Sequence, residues 1–207
     1  MAEVIDSLVE RRKRQILEAA AHIFSKEGFA NANTDRIAKR ARLGKGTIYR
    51  YFGSKRDLFL SVVDRGLNKM RDEILQEVRK RNSVLGKIES AIRTYLAFFE
   101  KNSNFISILL HEQSNFRKKV VQRYFEYYYR NVDKIKEAFK LGMEQGIIKD
   151  IDLDDLISVY MGLLNGVIYM WQIEGRRYRL VDMAPIVVRV FFTGIVKDEE
   201  QRRRYDK

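Results

Sequence analysis

Between Ala41 and Lys55 the chain reads ARLGKGTIYRYFGSK, and its Gly44-Lys45-Gly46-Thr47 run offers two chemistries. Glycines beside a lysine and a hydroxyl can cradle phosphates, but a phosphate loop needs G-x-x-x-x-G-K-[ST] between a strand and a helix. Here Lys39 stands five residues before Gly44, Lys45 is followed by Gly46, and the preceding stretch is charged rather than strand-like. The nucleotide reading fails in sequence and in context. The second chemistry is contact with DNA. Ile48 and Phe52, four apart, give a short helix one inward edge; Lys45, Thr47, Arg50 and Tyr51 are left on the opposite face, with Tyr49 on the flank. Such a helix can enter a major groove, where basic, hydroxyl and aromatic side chains meet base edges and phosphates.

Charge supports the second reading. From Arg36 to Arg56 there are eight basic residues and no acidic one, within a chain whose formal net charge is +12. Elsewhere the signs are mixed. A solvated face is the ordinary explanation of a charge run, but a sign-pure patch inside a short folded unit suits a polyanionic partner. An enzyme acting on an anionic substrate is disfavoured. The chain has no Cys, only His22 and His111, and no nucleophile motif, so neither catalysis nor a metal or other cofactor is expected.

The elements that must position these residues are helical. Ile16, Leu17, Ala20, Ile23 and Phe24 recur at helical spacing over residues 10–27, with Gly28 suited to the C-terminal cap. Thr34 is placed as N-cap of a short helix DRIAKRA, whose Ile37, Ala38 and Ala41 lie inward, and Gly44 is expected to allow the tight turn into the next helix. Ser54, with Asp57 three places on, opens a long fourth helix whose apolar stripe runs from Leu58 to Val78. Further helical patterns fall near 84–101, 104–112, 115–145, 153–174 and 181–197, and no alternating run argues for a sheet. The N-terminus does not read as a signal peptide. The longest apolar stretches, such as VVRVFFTGIV, are expected to be too short for a bilayer, which predicts a soluble, cytoplasmic protein without a membrane partner.

Across ILEAAAHIFSKEGF and TDRIAKRARLGKGTIYRYFGSKRDLF the sequence resembles the TetR family of bacterial transcriptional regulators. The match covers about a quarter of the chain, and both its spacing and its GTIYRYF run are specific. The resemblance implies an all-α fold of about nine helices: a three-helix, helix-turn-helix DNA-binding domain over residues 1–53, and a helical bundle for effector binding and dimerisation over 54–207. Double-stranded DNA would be met by Thr34 and Tyr49 at phosphates, by Lys45, Gly46, Thr47, Arg50 and Tyr51 in the groove, and by Lys55 at the start of the fourth helix.

In the second half, ten aromatic residues lie between Tyr95 and Tyr129, and two triplets among them, Tyr95/Phe98/Phe99 and Tyr124/Tyr127/Tyr128, recur at i, i+3, i+4. Bundle core explains any one of them. Together with the family's habit of binding a small effector, they place Phe98, Phe99, Phe105, Tyr124 and Tyr128, with His111, Asn165, Met170 and Trp171, as candidate pocket residues for a largely apolar or aromatic ligand. The segments YMGLLNGVIYMW and APIVVRVFFTGIV are apolar nearly all round, and Gly162 and Gly166 stand four apart. That surplus points to subunit contact through the last two helices. The expected function is therefore a homodimeric, ligand-responsive transcriptional regulator, a repressor that leaves a palindromic operator when its effector binds. The alternatives are an acyl-thioester-responsive regulator of lipid metabolism, for which Arg117, Lys118, Lys119, Arg176, Arg177 and Arg179 leave room, and a charge-driven, non-specific DNA binder.

Overall fold

The computed structural model describes residues 2–110 and 117–196, and over these the chain is built from helices joined by short turns. Two compact units are formed, one by Met1–Asn68 with Asn102–Tyr127, the other by Lys69–Lys101 with Tyr128–Lys207.

The first unit contains α1 (Ala2–Asn31), α2 (Thr34–Ala41), α3 (Lys45–Phe52), the first part of α4 (Lys55–Val78), α6 (Ser103–Leu110) and the start of α7 (Arg117–Glu144). Ile16, Ala20, Ile23 and Phe24 bury one stripe of α1 together with Ile37 of α2, Ile48 of α3, and Leu58 and Phe59 of α4. Phe24 meets Phe59 edge-on at 4.8 Å, and Phe29 meets the same ring at 5.2 Å. Each fully buried side chain of this size contributes about 1.5–3 kcal/mol. Gly28 interrupts α1 with φ 70° and ψ 173°, as its capping role predicts, while the helix begins well before residue 10. In the same unit α6 packs against α1. Phe105 sits so closely over Gly66 of α4 that a Cβ there would lie 2.3 Å from the ring.

Two capping assignments need correcting. Asn33, not Thr34, caps α2: Asn33 is extended and its Oδ1 accepts the Asp35 N–H at 2.7 Å, whereas Thr34 already lies within the helix. The turn after α2 is made by Arg42, not Gly44. Arg42 takes the left-handed conformation (φ 54°, ψ 41°), its N–H bonding Lys39 O while Leu43 N–H bonds Ala38 O, the arrangement of a Schellman motif. Gly44 is extended at φ −73°, a conformation open to any residue. At the head of α4 the expected cap is present: Ser54 Oγ accepts from Asp57 N–H at 3.1 Å and donates to its carboxylate at 2.5 Å.

The second unit holds the rest of α4 and α7, α5 (Val84–Lys101), α8 (Leu153–Ile173), a 3-10 turn at Leu180–Met183 and α9 (Ala184–Ile195). Its interior is apolar, with Ile92, Leu96, Phe98, Phe139, Ile157, Leu164, Val187 and Phe191 all buried. Asp152 caps α8 by accepting from the N–H groups of Asp154 and Asp155, and the chain's one proline, Pro185, stands in the first turn of α9, where its missing N–H costs nothing. Lys149 closes the other end of α9: its N–H bonds Ile195 O at 2.7 Å and its ammonium bonds Gly194 O at 2.8 Å. By length and composition α8 could cross a membrane, contrary to the expectation that no stretch would. Its apolar excess lies on two faces, one inside the unit and one outside.

Candidate nucleic-acid interface

The geometry of α3 follows from its eight residues. Ile48 is wholly buried, Phe52 half-buried beside it, and the pole opposite Ile48 is formed by Gly46 and Arg50, one turn apart. Lys45 and Tyr49 are exposed on the flanks; Thr47 and Tyr51 are half-buried, nearer the core than the sequence spacing suggests. The Arg50 guanidinium lies over the Tyr51 ring, 5.2 Å from its centroid, which turns Tyr51 into a support for Arg50 as well as an outward group. A Cβ added at Gly46 would have no heavy atom within 4 Å. Glycine in a helix sacrifices about 1 kcal/mol against alanine, and here no protein neighbour requires it.

The remaining candidates are tied into the scaffold. Thr34 is buried and its Oγ1 lies 3.2 Å from the Tyr49 hydroxyl, linking α2 to α3. The Lys45 ammonium donates to Asp35 Oδ2 at 2.9 Å, and that hydrogen bond with the carboxylate charge holds the lysine above its ordinary pKa. Lys55 folds back over the Phe29 ring at 4.9 Å and donates to Ala30 O at 3.1 Å, joining the start of α4 to the end of α1. Both cations keep their charge on the surface while being oriented by a partner.

The effector candidates are divided. Phe98 and Phe99 are buried on α5 in the second unit, packed edge-on to each other at 5.6 Å, with Tyr95 against Phe99 at 4.9 Å. Trp171 is buried on α8, its Nε1 donating to Tyr178 O at 2.7 Å, and the Tyr95 hydroxyl donates to Asn165 Oδ1 at 2.8 Å. Met170 is exposed on the outer face of α8, away from Trp171. Phe105 belongs to the first unit. His111 lies outside the described residues, as do the side chains of Tyr124 and Tyr128. The sequence reading missed Tyr160, buried on α8 between Phe139 and Phe191. Its position on the Ile157–Leu164 stripe is the signal that could have found it.

A third surface lies on the last two long helices. Val159 and Ile173 of α8 and Val190 of α9 are 64%, 60% and 59% exposed, with Tyr169, Met170 and Ile186 beside them in the sequence pattern. Gly162 and Gly166 are exposed too, with open space where a Cβ would stand. Together they make the outer side of these two helices a candidate interaction face.

Residues 16–62 match the model of bacterial regulatory proteins of the tetR family, and residues 63–194 match that of the C-terminal region of YsiA-like protein. The chain is 22% identical over 185 residues to the fatty acid metabolism regulator protein of Bacillus subtilis, covering 87% of this chain and 94% of that one. It is 29% identical over 174 residues to the HTH-type transcriptional repressor SCO4008 of Streptomyces coelicolor, covering 80% and 82%. Among solved structures it resembles the fatty acid degradation regulator FadR from Bacillus halodurans, with a TM-score of 0.80 at 20% identity over 88% of this chain and 95% of that one. FadR from Bacillus subtilis in complex with stearoyl-CoA superposes with a TM-score of 0.79 at 22% identity, over 87% and 98%.

Proposed function

We propose that this chain, which belongs to the TetR family of bacterial regulatory proteins, is a homodimeric cytoplasmic repressor that binds a palindromic operator and is released by an acyl thioester. The observation that carries the DNA-binding part is the division of α3: Ile48 wholly buried, Gly46 and Arg50 on the opposite pole, and eight cations with no acid from Arg36 to Arg56. In this reading Arg50 reads a base edge, Gly46 lets the helix approach, and Lys45, Tyr49 and Lys55 meet phosphates, with Thr34 holding Tyr49 in place. The functional boundary falls at residues 53/54, and α4 is the lever that carries the effector signal to the head. The exposed face on α8 and α9 takes a second copy, so that two reading helices fall on neighbouring turns of DNA.

The acyl-thioester assignment is supported by the likeness to regulators of fatty acid metabolism, one of them solved with stearoyl-CoA, and by the aromatic, buried surroundings of Phe98, Phe99 and Trp171. Effector binding favours a dimer whose heads are wrongly spaced, and operator affinity falls by a coupling energy of about 1–3 kcal/mol.

The test starts from a DNA site selected by the purified protein out of a random pool. A palindrome bound at physiological salt and released by stearoyl-CoA supports the reading. Binding that shows no sequence preference and vanishes as salt rises would leave only charge-driven attraction.

A further inference from the structure

We infer that the Tyr160 hydroxyl is the donor that takes the carbonyl oxygen of an acyl thioester in the second unit, an inference that rests on the effector class proposed above. Tyr160 is 5% exposed. Its ring stands edge-on to Phe139 of α7 at 5.5 Å and tilted against Phe191 of α9 at 5.3 Å, and those two phenylalanines are 5.9 Å apart. The position is thus built for a flat hydrophobic ring, which phenylalanine would supply. Yet the residue carries a hydroxyl, and among the described residues that hydroxyl has no hydrogen-bond partner.

The same unit shows how buried polar aromatics are ordinarily accommodated. The Tyr95 hydroxyl donates to Asn165, and the Trp171 indole N–H donates to Tyr178 O. Buried tyrosine hydroxyls ordinarily find such partners, and leaving one unmade costs stability with no structural return. A partner arriving with a ligand supplies the return.

The surroundings select the chemistry of that partner. Burial pushes the Tyr160 phenol well above its ordinary pKa, so it stays protonated and acts as a donor. A free carboxylate brought against Phe139 and Phe191 would be a desolvated charge facing one neutral hydroxyl, a poor exchange for water. A neutral carbonyl at the end of an apolar chain loses far less hydration and gains the same hydrogen bond. The site therefore fits a thioester and discriminates against the free fatty acid.

The experiment uses the full chain and its Tyr160→Phe variant with stearoyl-CoA labelled with 13C at the carbonyl, and stearate as the competing probe. Three quantities are read: the melting temperature without ligand, the dissociation constants, and the infrared carbonyl stretch of the bound thioester. The expected result is a variant that melts at or above the wild-type temperature and binds stearoyl-CoA about tenfold more weakly, as the loss of one net hydrogen bond predicts. Its carbonyl stretch should move toward the value of an unbonded thioester, and wild-type protein should prefer stearoyl-CoA to stearate. Equal affinity and an unmoved stretch in the variant would overturn the assignment, leaving the hydroxyl to a buried water. A variant that melts lower would also overturn it, because the hydroxyl would then be bonded in the free protein. If wild-type protein binds its selected DNA site but not stearoyl-CoA, the thioester reading fails and this donor role with it, while the DNA-binding reading stands.

Discussion

Gly46→Ala separates folding from DNA contact at one atom. The residue stands in the first turn of α3, on the pole opposite Ile48, and an added Cβ meets nothing within 4 Å. The free protein should therefore gain helix propensity without steric cost, about 0.5–1 kcal/mol after discounting the interior value for a first-turn position. For a chain of this size that corresponds to a rise of about 1–4 °C in melting temperature. On DNA the sign reverses. The methyl lies one turn before Arg50, on the surface that would approach the groove, and must displace either the helix or the guanidinium. A loss of about 1–2 kcal/mol, or roughly 5–30-fold in affinity, follows if one well-made base contact is weakened. The assay pairs thermal melting with fluorescence anisotropy on the selected DNA site at constant salt. Affinity that stays level or rises along with stability would mean that the Gly46–Arg50 pole does not face DNA.

Three further outcomes follow from single observations. Gly66→Ala places a methyl 2.3–2.7 Å from three ring carbons of Phe105; overpacking of about 2 kcal/mol outweighs a helix-propensity gain of about 1 kcal/mol, and melting temperature should fall by roughly 2–4 °C. Val190→Asp, at a 59% exposed position, should leave the protomer folded by circular dichroism but halve the mass seen by light scattering and weaken operator binding. His22 is held below its ordinary pKa first by burial and then by Arg40 and Lys26, so the unfolded chain binds the extra proton at higher pH than the native one. Its contribution is complete above about pH 6.5 and is lost as pH falls from that unfolded value toward the folded one; melting temperature should drop between pH 7.5 and 5.5, and His22→Gln should flatten that slope.

The helices were legible because their signals are local. Ile16 through Phe24 and Leu58 through Val78 repeat at the period of a helix, and the Ser54–Asp57 cap is a matter of adjacent residues. Turn chemistry was less legible. Asn33 and Thr34 both suit an N-cap, and only backbone dihedrals decide between them; Arg42 occupies a left-handed position that propensity assigns to the glycine two residues on. The difference is physical: Schellman bonds from Arg42 and Leu43 close α2 before Gly44 is reached, and they hold an arginine where its own preference is weak.

Side-chain orientation within the candidate interface was only half legible. Spacing alone sorts α3 into inward and outward residues, but it does not say that Arg50 lies over Tyr51, that Lys45 is drawn to Asp35, or that Lys55 folds onto Phe29 and Ala30. Each of these contacts joins residues brought together by folding or by a rotamer choice, so no window of sequence contains it. The exposed Lys45–Asp35 ion pair adds little to stability, and cation–π contacts at exposed sites add only modestly. They narrow the conformations of the long cations, and if these meet DNA as proposed, the ordering cost of binding would fall by about 0.5–1.5 kcal/mol per side chain. In the proposed reading the basic stretch from Arg36 to Arg56 would thus differ from a merely solvated face, because Lys45, Arg50 and Lys55 are each held by a neighbour within the three-helix unit.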